Sequence, residues 1–437
     1  MKDYFKVFAK VFIISAIFTF SILCVSASWA IGRDTEEVTV LRRVVIKSGD
    51  DVLLSKSYEE NPQMKLYMSD AYGLTDVYYE YVNNGIERYT VLDHMYNGLG
   101  ADVKKLIDSL YVSAKDAKAY FHARETNKFT YEKESSGREV DEMKFFTDFV
   151  KTLSAPDSVL EIVFNELKPN VTRAELERKT RLIGEFSTSF KTSGASRSTN
   201  ISLASKAVNG TVLDEGAIFS FNEAVGERSA KRGYKEANII KDGVYVKGIG
   251  GGVCQVSTTL YNAVLRAGLT VTSVNAHTLA ASYVPPSTDA MVSTSSDLRF
   301  INDTGGKVYI ETTVKDKVLT VSVYGYMDDG VKYKVDSKIL KVIKPPSPEI
   351  IYSDEMFTGD EETVVNAHYG YVSEAYLSKY KDGRLIERKR IRRDEYGTSA
   401  GVIKRGTKQR TFENDDEIGN YFDKTAKLFV YYTLMRN

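Results

Sequence analysis

The sequence predicts an exported, multi-domain chain of the α+β class. It comprises an N-terminal transmembrane helix, a mixed α+β central domain and a small all-β C-terminal module. Three observations predict this order. An apolar run near the N-terminus is long enough to span a bilayer. One helical pattern in the middle of the chain is surrounded by short β-branched segments. Beyond a proline-rich stretch, glycines separate short strand patterns.

The composition limits the classes of partner. The 437 residues include 59 basic and 59 acidic side chains, so the formal net charge is zero. A neutral chain gives no electrostatic argument for nucleic acid binding, and we expect none. Of the two cysteines, Cys24 lies in the apolar run, which leaves Cys254 without a disulfide partner in the folded part. A single unpaired thiol in an exported chain is a candidate reactive group.

Residues 1–33 predict a cytoplasmic tip and a membrane anchor. The almost uninterrupted apolar run covers residues 11–31, which is the length of a membrane-spanning helix. Three lysines precede the run and acidic residues follow it, so the positive-inside rule places the N-terminus in the cytoplasm. We therefore expect a single-pass membrane protein with its bulk outside the cell. A cleaved signal peptide is the alternative, and it exports the same residues.

Residues 34–178 predict an α+β region, although residues 35–112 carry few clear patterns. Thr172 and Glu175 have the spacing of a helix capping box. The patterns predict strands at 38–46, 128–132 and 159–164, and helices at 102–110 and from Asp141 to Pro156.

Residues 179–330 form the predicted central domain, and its main feature is a helix that starts after three consecutive glycines. Val256, Leu260 and Val264 recur at a spacing of four, and Gly268 stands where a helix C′ glycine belongs. Cys254 therefore lies in the first turn. The remaining patterns predict a short helix at 200–208. They also predict four strands, at 239–245, 271–275, 307–313 and 318–324.

A thiol in the first turn of a helix is placed for nucleophilic chemistry. The amides of that turn have no intrahelical partner, and the helix dipole puts partial positive charge there. Both effects favour the thiolate of Cys254. The preceding glycines let the backbone approach a bound carbonyl and direct amides towards it. The alternative is that Cys254 is a small buried apolar residue.

The same region carries a family resemblance. Over about residues 180–326 the chain resembles the VanW domain, which occurs in cell-wall proteins and is named for an accessory protein of glycopeptide resistance. VanW domains have been described as peptidoglycan L,D-transpeptidases that use the motif cysteine, so the resemblance implies that Cys254 is the nucleophile. The residues that carry it are Phe219 to Asn222, Gly226, Arg228, Arg232 to Tyr234, Gly248 to Asn262, His277 and Ser282 to Pro286.

The regions on either side also resemble modules found beside VanW domains. Residues 113–178 resemble a module described as peptidoglycan-binding, and a plain α+β spacer is the alternative. We divide the rest of the chain into a linker at 331–349, an all-β module at 350–410 and a tail at 411–437. The linker contains Pro345-Pro346-Ser347-Pro348, a stiff sequence. The all-β module resembles the glycine-rich "G-five" type of extracellular module.

A thiolate nucleophile requires a base and a group that orients the base. His277 is the only one of the four histidines within the domain that holds Cys254, and it belongs to the family motif. We therefore expect His277 to be the base. Asp289 is the expected orienting residue, with Asn275 or a backbone carbonyl as alternatives.

The remaining site residues are expected to bind the substrate. Arginine matches carboxylates, which peptidoglycan stem peptides carry, so Arg228 and Arg232 are candidates; solvated loop arginines are the alternative. The Gln255 side chain is a further donor, or else it lies on the helix surface. We expect no metal and no cofactor. Candidate oxyanion and substrate-binding positions also include Gly251, Tyr283 and the backbone amides of Gly252, Val253, Cys254 and Gln255.

The function implied by the resemblance is formation of 3→3 cross-links in peptidoglycan through a cysteine thioester. Stem peptides are the expected partners, on the cell-wall side of the membrane. Two alternatives stay open, namely a non-catalytic wall-binding protein and a cysteine hydrolase of stem peptides. The basic run Arg388 to Arg393 predicts that the C-terminal module binds an anionic wall polymer.

Overall fold

The computed structural model describes residues 41–59, 101–142, 144–145, 148, 157–241 and 244–409. This part of the chain is mostly β with few helices, so the α+β class predicted for the whole chain overstates its helical content. No helix within the described ranges is long and apolar enough to cross a membrane. The predicted anchor at 11–31 and the tail at 411–437 lie outside the described residues.

The secondary structure consists of short helices and many strands. The helices are α1 (Ala101–Ser109), α2 (Arg173–Lys179), α3 (Ala195–Val208), α4 (Phe221–Val225) and α5 (Val253–Arg266). The strands are β1 (Leu41–Ser48), β2 (Asp51–Glu59), β3 (Lys118–Phe121), β4 (Phe129–Glu132), β5 (Gly137–Val140), β6 (Asp157–Glu161), β7 (Phe164–Leu167), β8 (Arg181–Ser189), β9 (Thr211–Leu213), β10 (Ile218–Ser220), β11 (Glu236–Lys241), β12 (Val244–Ile249), β13 (Thr270–Ser273), β14 (Arg299–Ile301), β15 (Val308–Lys315), β16 (Val318–Gly325), β17 (Val331–Ile343), β18 (Glu349–Phe357), β19 (Glu361–Val365), β20 (Gly370–Lys381), β21 (Arg384–Tyr396) and β22 (Val402–Lys408).

The chain divides into two compact units, and the first comprises residues 1–115 and 136–168. Its described part has a three-stranded sheet in which β1 lies between antiparallel β2 and parallel β6, and a separate β5–β7 pair. The helix predicted from Asp141 lies only partly within the described residues. The buried core of this unit consists of Val44, Ile46, Val103, Ile107, Val140, Phe145, Leu160 and Ile162.

The second unit comprises residues 116–135 and 169–437, and its centre is a four-stranded sheet in the order β8-β16-β15-β9. Helices α3 and α5 pack on each other, α3 contacts β15, and α5 contacts β8 and β16. Gly184 in β8 permits this packing, because a Cβ there would lie 2.4 Å from the carbonyl oxygen of Ala263 in α5. Helix α5 is therefore buried along nearly its whole length.

The boundary predicted at residue 178 differs from the structure, because the β3–β4 hairpin belongs to the second unit. Phe121 and Phe129 pack against Tyr309 of β15, with ring centroids 5.3 and 5.0 Å apart. Lys128 Nζ also contacts Oε1 of the buried Glu311 at 2.6 Å. These aromatic and ionic contacts join residues far apart in sequence, and no local pattern reveals them.

The predicted linker at 331–349 is wrong for most of its length. Residues 331–343 form the 13-residue strand β17, which pairs antiparallel with β20. Val335 of β17 and Leu377 of β20 pack against the central core. The C-terminal region contains two three-stranded sheets, β17-β20-β21 and β18-β22-β19, so its all-β character is as predicted. Only residues 344–348 connect β17 to β18.

The structure confirms some of the turns and helix ends predicted for the second unit and corrects others. The hairpin turn at Asp382 and Gly383 has φ values of 50° and 79°, as a two-residue turn requires, and Gly268 follows α5 with φ 79°. The strand predicted at 239–245 is instead two antiparallel strands, β11 and β12. Helix α3 starts at Ala195, before the predicted Asn200, since Gly194 serves as its N-cap.

Candidate active site

The glycine loop before α5 brings three backbone segments into close contact. Gly252 is the N-cap residue of α5, with φ 107°, a conformation that residues other than glycine rarely adopt. A Cβ on Gly252 would lie 2.9 Å from Arg197 Cγ of α3. A Cβ on Gly251 would lie 2.7 Å from the carbonyl oxygen of Asn238 in β11. Glycine at both positions therefore fixes where α5 begins, and so the position of Cys254.

Asn200, on helix α3, holds this loop in place. Its buried side-chain amide donates to the carbonyl oxygens of Lys235 and Gly251, both at 2.9 Å. Its Oδ1 accepts from the Lys235 amide at 2.7 Å. Asn200 carries no signal of this role in the sequence, since its partners are backbone atoms of remote segments.

The polar residues of α5 are buried and hold the segment that carries Asp289. Ser257 Oγ donates to the Ala290 carbonyl oxygen at 2.7 Å, and Thr258 Oγ1 accepts from the Ala290 amide at 2.9 Å. One turn later, Asn262 Nδ2 donates to the Thr288 carbonyl oxygen at 2.7 Å. Residues on both sides of Asp289 are thus attached to the helix that begins at Cys254.

Cys254 is half-buried at the start of α5, and its thiol donates to the Val292 carbonyl oxygen at 3.4 Å. Burial by itself would raise the pKa of the thiol. A hydrogen bond and the positive charge of His277 outweigh burial, the charge of Arg228 adds to them, and the pKa is lowered. These contacts favour the thiolate, and they come from His277 and Arg228 rather than from the helix position on which the prediction rested.

His277 is buried between Cys254 and Asp289. Its Nδ1 lies 2.6 Å from Asp289 Oδ2, and its backbone amide donates to the same oxygen at 2.8 Å. Since Nδ1 is engaged with Asp289, Nε2 is the ring nitrogen left for the Cys254 thiol. Burial would lower the imidazole pKa, but the hydrogen bonds and charges of Asp289 and Cys254 raise it to about 10.

Asp289 is the residue that contacts the His277 ring. Its carboxyl group is 1% exposed, and burial alone would raise its pKa. Contacts with His277, Arg392 and Tyr396 outweigh burial and lower the pKa, so the group is a carboxylate. Asn275, the alternative orienting residue, is exposed, and its carbonyl oxygen accepts from the Met291 amide at 2.8 Å. Arg392 and Tyr396 were not predicted, because they lie in a strand more than a hundred residues away.

The thiol faces an open cavity of about 1450 Å³. The residues that line the cavity all belong to the second unit, and they include the α3 N-terminus and parts of β11 and β12. The volume suits an extended molecule. The lining includes Cys254, His277, Tyr283, Arg228, Arg197 and Lys247.

The predicted oxyanion donors are only partly available. The amides of Val253 and Gln255 donate to the carbonyl oxygens of Gly250 and Gly252 at 3.1 and 3.0 Å. Gln255 Nε2 donates to Thr188 Oγ1 at 3.0 Å, and its Oε1 accepts from Arg197, so this side chain is a packing element. The amides of Gly251, Gly252 and Cys254 make no hydrogen bond with another described residue, so these three remain as candidate donors.

The two candidate arginines occupy different positions. Arg228 lines the cavity and donates through Nη2 to Asn222 Oδ1. Arg232 donates from Nη1 to the carbonyl oxygens of Val225 and Glu227, both at 2.7 Å, and does not line the cavity. Its role is therefore to hold the loop, contrary to the prediction. Tyr283 lines the cavity, where burial and the nearby Cys254 charge raise its pKa.

Two solved structures of G5 domains are similar to part of the chain. The IgA1 protease G5 domain is 15% identical and covers 18% of this chain and 90% of its own, with a TM-score of 0.13. A second G5 domain crystal structure is 12% identical and covers 17% of this chain and 97% of its own, with a TM-score of 0.11. TM-scores this low support no argument about function.

Two curated proteins are similar over the region that contains the site. The uncharacterized protein YoaR of Bacillus subtilis is 38% identical over 192 residues, which cover 44% of this chain and 61% of YoaR. The vancomycin B-type resistance protein VanW of Enterococcus faecalis is 27% identical over 151 residues, which cover 33% of this chain and 55% of VanW. The chain thus spans less than two thirds of either relative. The family model described as "VanW like protein" matches residues 196–324, so this chain contains a VanW-like domain there.

Proposed function

We propose that this protein is a cysteine-dependent acyl transferase of the cell wall, a peptidoglycan L,D-transpeptidase whose nucleophile is Cys254. One observation carries the proposal. A half-buried thiol at a helix N-terminus and a buried histidine line the same large cavity, and the histidine is oriented by a buried aspartate. This is the arrangement of nucleophile, base and orienting group that acyl transfer requires.

The comparisons support a cell-wall-related function. One relative is named as a vancomycin B-type resistance protein, and the matched family takes its name from it. The resemblance to VanW domains described as L,D-transpeptidases supplies the reaction class. The site residues named by that resemblance, Cys254 and His277, are the two whose pKa values are shifted towards a thiolate and an imidazolium.

In the first half of the proposed reaction, the Cys254 thiolate attacks the carbonyl carbon that precedes the terminal D-alanine of a tetrapeptide stem. A carbon–sulfur bond forms, and the oxyanion lies within reach of the Cys254 amide. The tetrahedral intermediate collapses and the carbon–nitrogen bond breaks. His277, already protonated at neutral pH, donates its Nε2 proton to the leaving amine of D-alanine, and a thioester remains.

In the second half, the side-chain amine of a neighbouring stem attacks the thioester carbon. Neutral His277 accepts the amine proton, the carbon–sulfur bond breaks, and the thiolate–imidazolium pair is restored. The product is a 3→3 cross-link. Water in place of the amine would give a shortened stem instead, so exclusion of water by the bound acceptor decides between transfer and hydrolysis.

Arg228 is the proposed contact for a free carboxylate of the stem peptide. It lines the cavity, and its Nε is buried without a hydrogen-bond partner among the described residues. A guanidinium with a spare donor matches a carboxylate oxygen.

Muropeptide analysis tests the proposal. The exported part of the chain is incubated with disaccharide-tetrapeptides that end in D-alanine, with the Cys254→Ala variant in parallel. New 3→3 dimers from the wild type alone are expected. Shortened stems alone would indicate a hydrolase, and an unchanged profile would contradict catalysis on this substrate.

Wall binding through the C-terminal sheet is a second candidate function. Arg388, Lys389 and Arg393 are exposed on β21, which is an edge strand of its sheet. This basic edge is the observation that favours binding to an anionic polymer. Retention of the Cys254→Ala variant on isolated walls tests it separately from catalysis.

A further inference from the structure

The carboxylate of Asp289 is held from the side opposite His277 by two residues of β21. The Tyr396 hydroxyl donates to Asp289 Oδ1 at 2.5 Å, and Arg392 Nη2 lies 3.5 Å from the same oxygen. We propose that Tyr396 and Arg392 are positioning residues of the Cys254 site, so that the C-terminal sheet forms part of it. The inference goes beyond the proposed function and rests on it only in taking this site to be the catalytic one.

Tyr396 is placed by two hydrogen bonds. Its side chain is fully buried, and its hydroxyl accepts from the Ser287 amide at 2.6 Å while it donates to Asp289. Because the Ser287 amide donates to the hydroxyl oxygen, the phenol proton is available to the carboxylate. Burial and the charge of Asp289 raise the phenol pKa, which favours the protonated hydroxyl.

Arg392 differs from its neighbours in the basic run, since its side chain is only 8% exposed. Nη1 donates to the backbone carbonyl oxygen of Asp289, and Nη2 lies 3.1 Å from Asp394 Oδ2. The guanidinium thus contacts both the backbone and the carboxylate of Asp289. Arg392 is therefore not available to the wall polymer that the basic run is predicted to bind.

These contacts determine which oxygen faces the histidine. Oδ2 accepts from the His277 backbone amide and lies 2.6 Å from His277 Nδ1, while Oδ1 accepts from the Tyr396 hydroxyl and lies 3.5 Å from Arg392 Nη2. A buried carboxylate needs donors on both oxygens to stay ionised. Without the contacts from β21, Oδ1 would lack its hydrogen-bond donor, and the carboxylate would be free to rotate or to take up a proton. Either change weakens the hold on the His277 ring and hence on the thiolate.

If β21 only packed against this segment, loss of any contact between the sheet and the segment would affect the site alike. Two neighbouring contacts therefore serve as controls. Ser373 Oγ of β20 bonds Ser287 Oγ at 2.8 Å, and Ser337 Oγ of β17 donates to the Pro286 carbonyl oxygen at 2.5 Å. Both contacts attach the same sheet to the same segment without touching Asp289. Loss of the Ser373 contact therefore loosens the packing but leaves the carboxylate donors in place.

The ionisable groups that face the site come from several elements. His277, Arg392 and Tyr396 face Asp289, and Arg228, His277 and Tyr283 face Cys254. The cavity beside the thiol is also lined by Arg197, Glu227, Glu236 and Lys247. Asp394 and Tyr261 lie behind Arg392. Of these, only Arg392 and Tyr396 come from the C-terminal sheet and contact Asp289 directly.

The experiment measures the pH dependence of Cys254 alkylation by iodoacetamide in the exported part of the chain, with unfolding curves recorded in parallel. For Tyr396→Phe, which keeps the ring, we expect the thiol pKa to rise by about one unit. We expect Arg392→Met to raise it as well. We expect Ser373→Ala to lower stability but to leave the thiol pKa unchanged.

An unchanged thiol pKa in folded Tyr396→Phe would overturn the inference. An equal rise in Ser373→Ala would do the same, because it would reduce the effect to general loosening. Alkylation needs no peptidoglycan, so the outcome is independent of the proposed activity. A shifted thiol pKa together with an absence of cross-links from the wild type would support the positioning role and contradict the transpeptidase.

Discussion

At the scale of single residues, the chemistry depends on four neighbouring side chains whose charges alternate in sign. A thiolate, an imidazolium, a carboxylate and a guanidinium follow one another from Cys254 through His277 and Asp289 to Arg392. Each charge is partly buried and would be costly alone, and each is stabilised by its neighbour.

Substitution of Cys254 tests the first member of this line. Cys254→Ala is expected to abolish cross-link formation, and Cys254→Ser to be nearly inactive, because a hydroxyl is far less ionised at this position. The free energy of unfolding should change by only about 1 kcal/mol, since one small side-chain atom is removed or replaced. Muropeptide analysis and denaturant unfolding check the two parts. Cross-linking by folded Cys254→Ala would contradict the proposed mechanism.

The pH dependence of stability tests Asp289. Because its folded pKa lies below the usual 3.8, the ionised group contributes stability above about pH 4, and this contribution is lost as the pH falls through the folded pKa. Asp289→Asn should therefore cost about 3 kcal/mol at neutral pH, and the difference from wild type should shrink in acid. Thermal or urea unfolding between about pH 2 and 7 measures it. A pH-independent difference would mean that the carboxylate is not ionised by its partners.

At the scale of elements, the start of α5 is positioned by backbone rather than by side chains. Gly251 and Gly252 permit close contacts with β11 and α3, and Asn200 hydrogen-bonds the loop between them. Because the first turn of α5 carries both the thiol and the Cys254 amide, a small displacement of the loop moves both.

Alanine at Gly252 tests this positioning, and Gly216 provides a matched control. Both glycines have positive φ, at 107° and 77°, but a Cβ on Gly216 would meet no atom within 4 Å, whereas one on Gly252 meets Arg197 at 2.9 Å. Gly216→Ala should cost about 1 kcal/mol from the backbone conformation alone. Gly252→Ala should cost about 3 kcal/mol and slow thiol alkylation. Equal effects of the two variants would show that the loop tolerates displacement.

At the scale of the whole second unit, the C-terminal sheet serves both the core and the site. Val335, Leu377 and Ile391 pack against the central core, while Tyr396 and Arg392 reach Asp289. Elsewhere along β21, Arg388, Lys389 and Arg393 are exposed. One strand thus combines an inward contact with the site and an outward charged edge.

The basic edge predicts salt-sensitive binding to anionic wall polymers. Replacing Arg388, Lys389 and Arg393 together with glutamine should reduce retention on isolated walls. Retention of the wild type should weaken steeply between about 0.1 and 1 M salt, because the Debye length falls from about 10 to about 3 Å. Replacing the buried Arg392 alone should leave retention unchanged. Salt-independent retention would contradict an electrostatic mode.

The sequence by itself determined the features that depend on neighbouring residues. Periodicity determines the helix after the glycines and places Cys254 in its first turn. The conformations that glycine favours determine the C′ glycine of that helix and the Asp382-Gly383 turn. The candidate set of Cys254, His277 and Asp289 was also found from sequence, through the motif and the scarcity of histidine, and the structure brings the three together.

Only the tertiary structure decided the contacts between remote segments. Packing places residues 331–343 in a strand and the β3–β4 hairpin in the second unit. It also directs Arg232 to its own loop, and Arg392 and Tyr396 to Asp289. The physical reason is that a buried charge selects its partners by distance in three dimensions. Tyr396 lies 107 positions from Asp289 along the chain, beyond the reach of any pattern in the sequence.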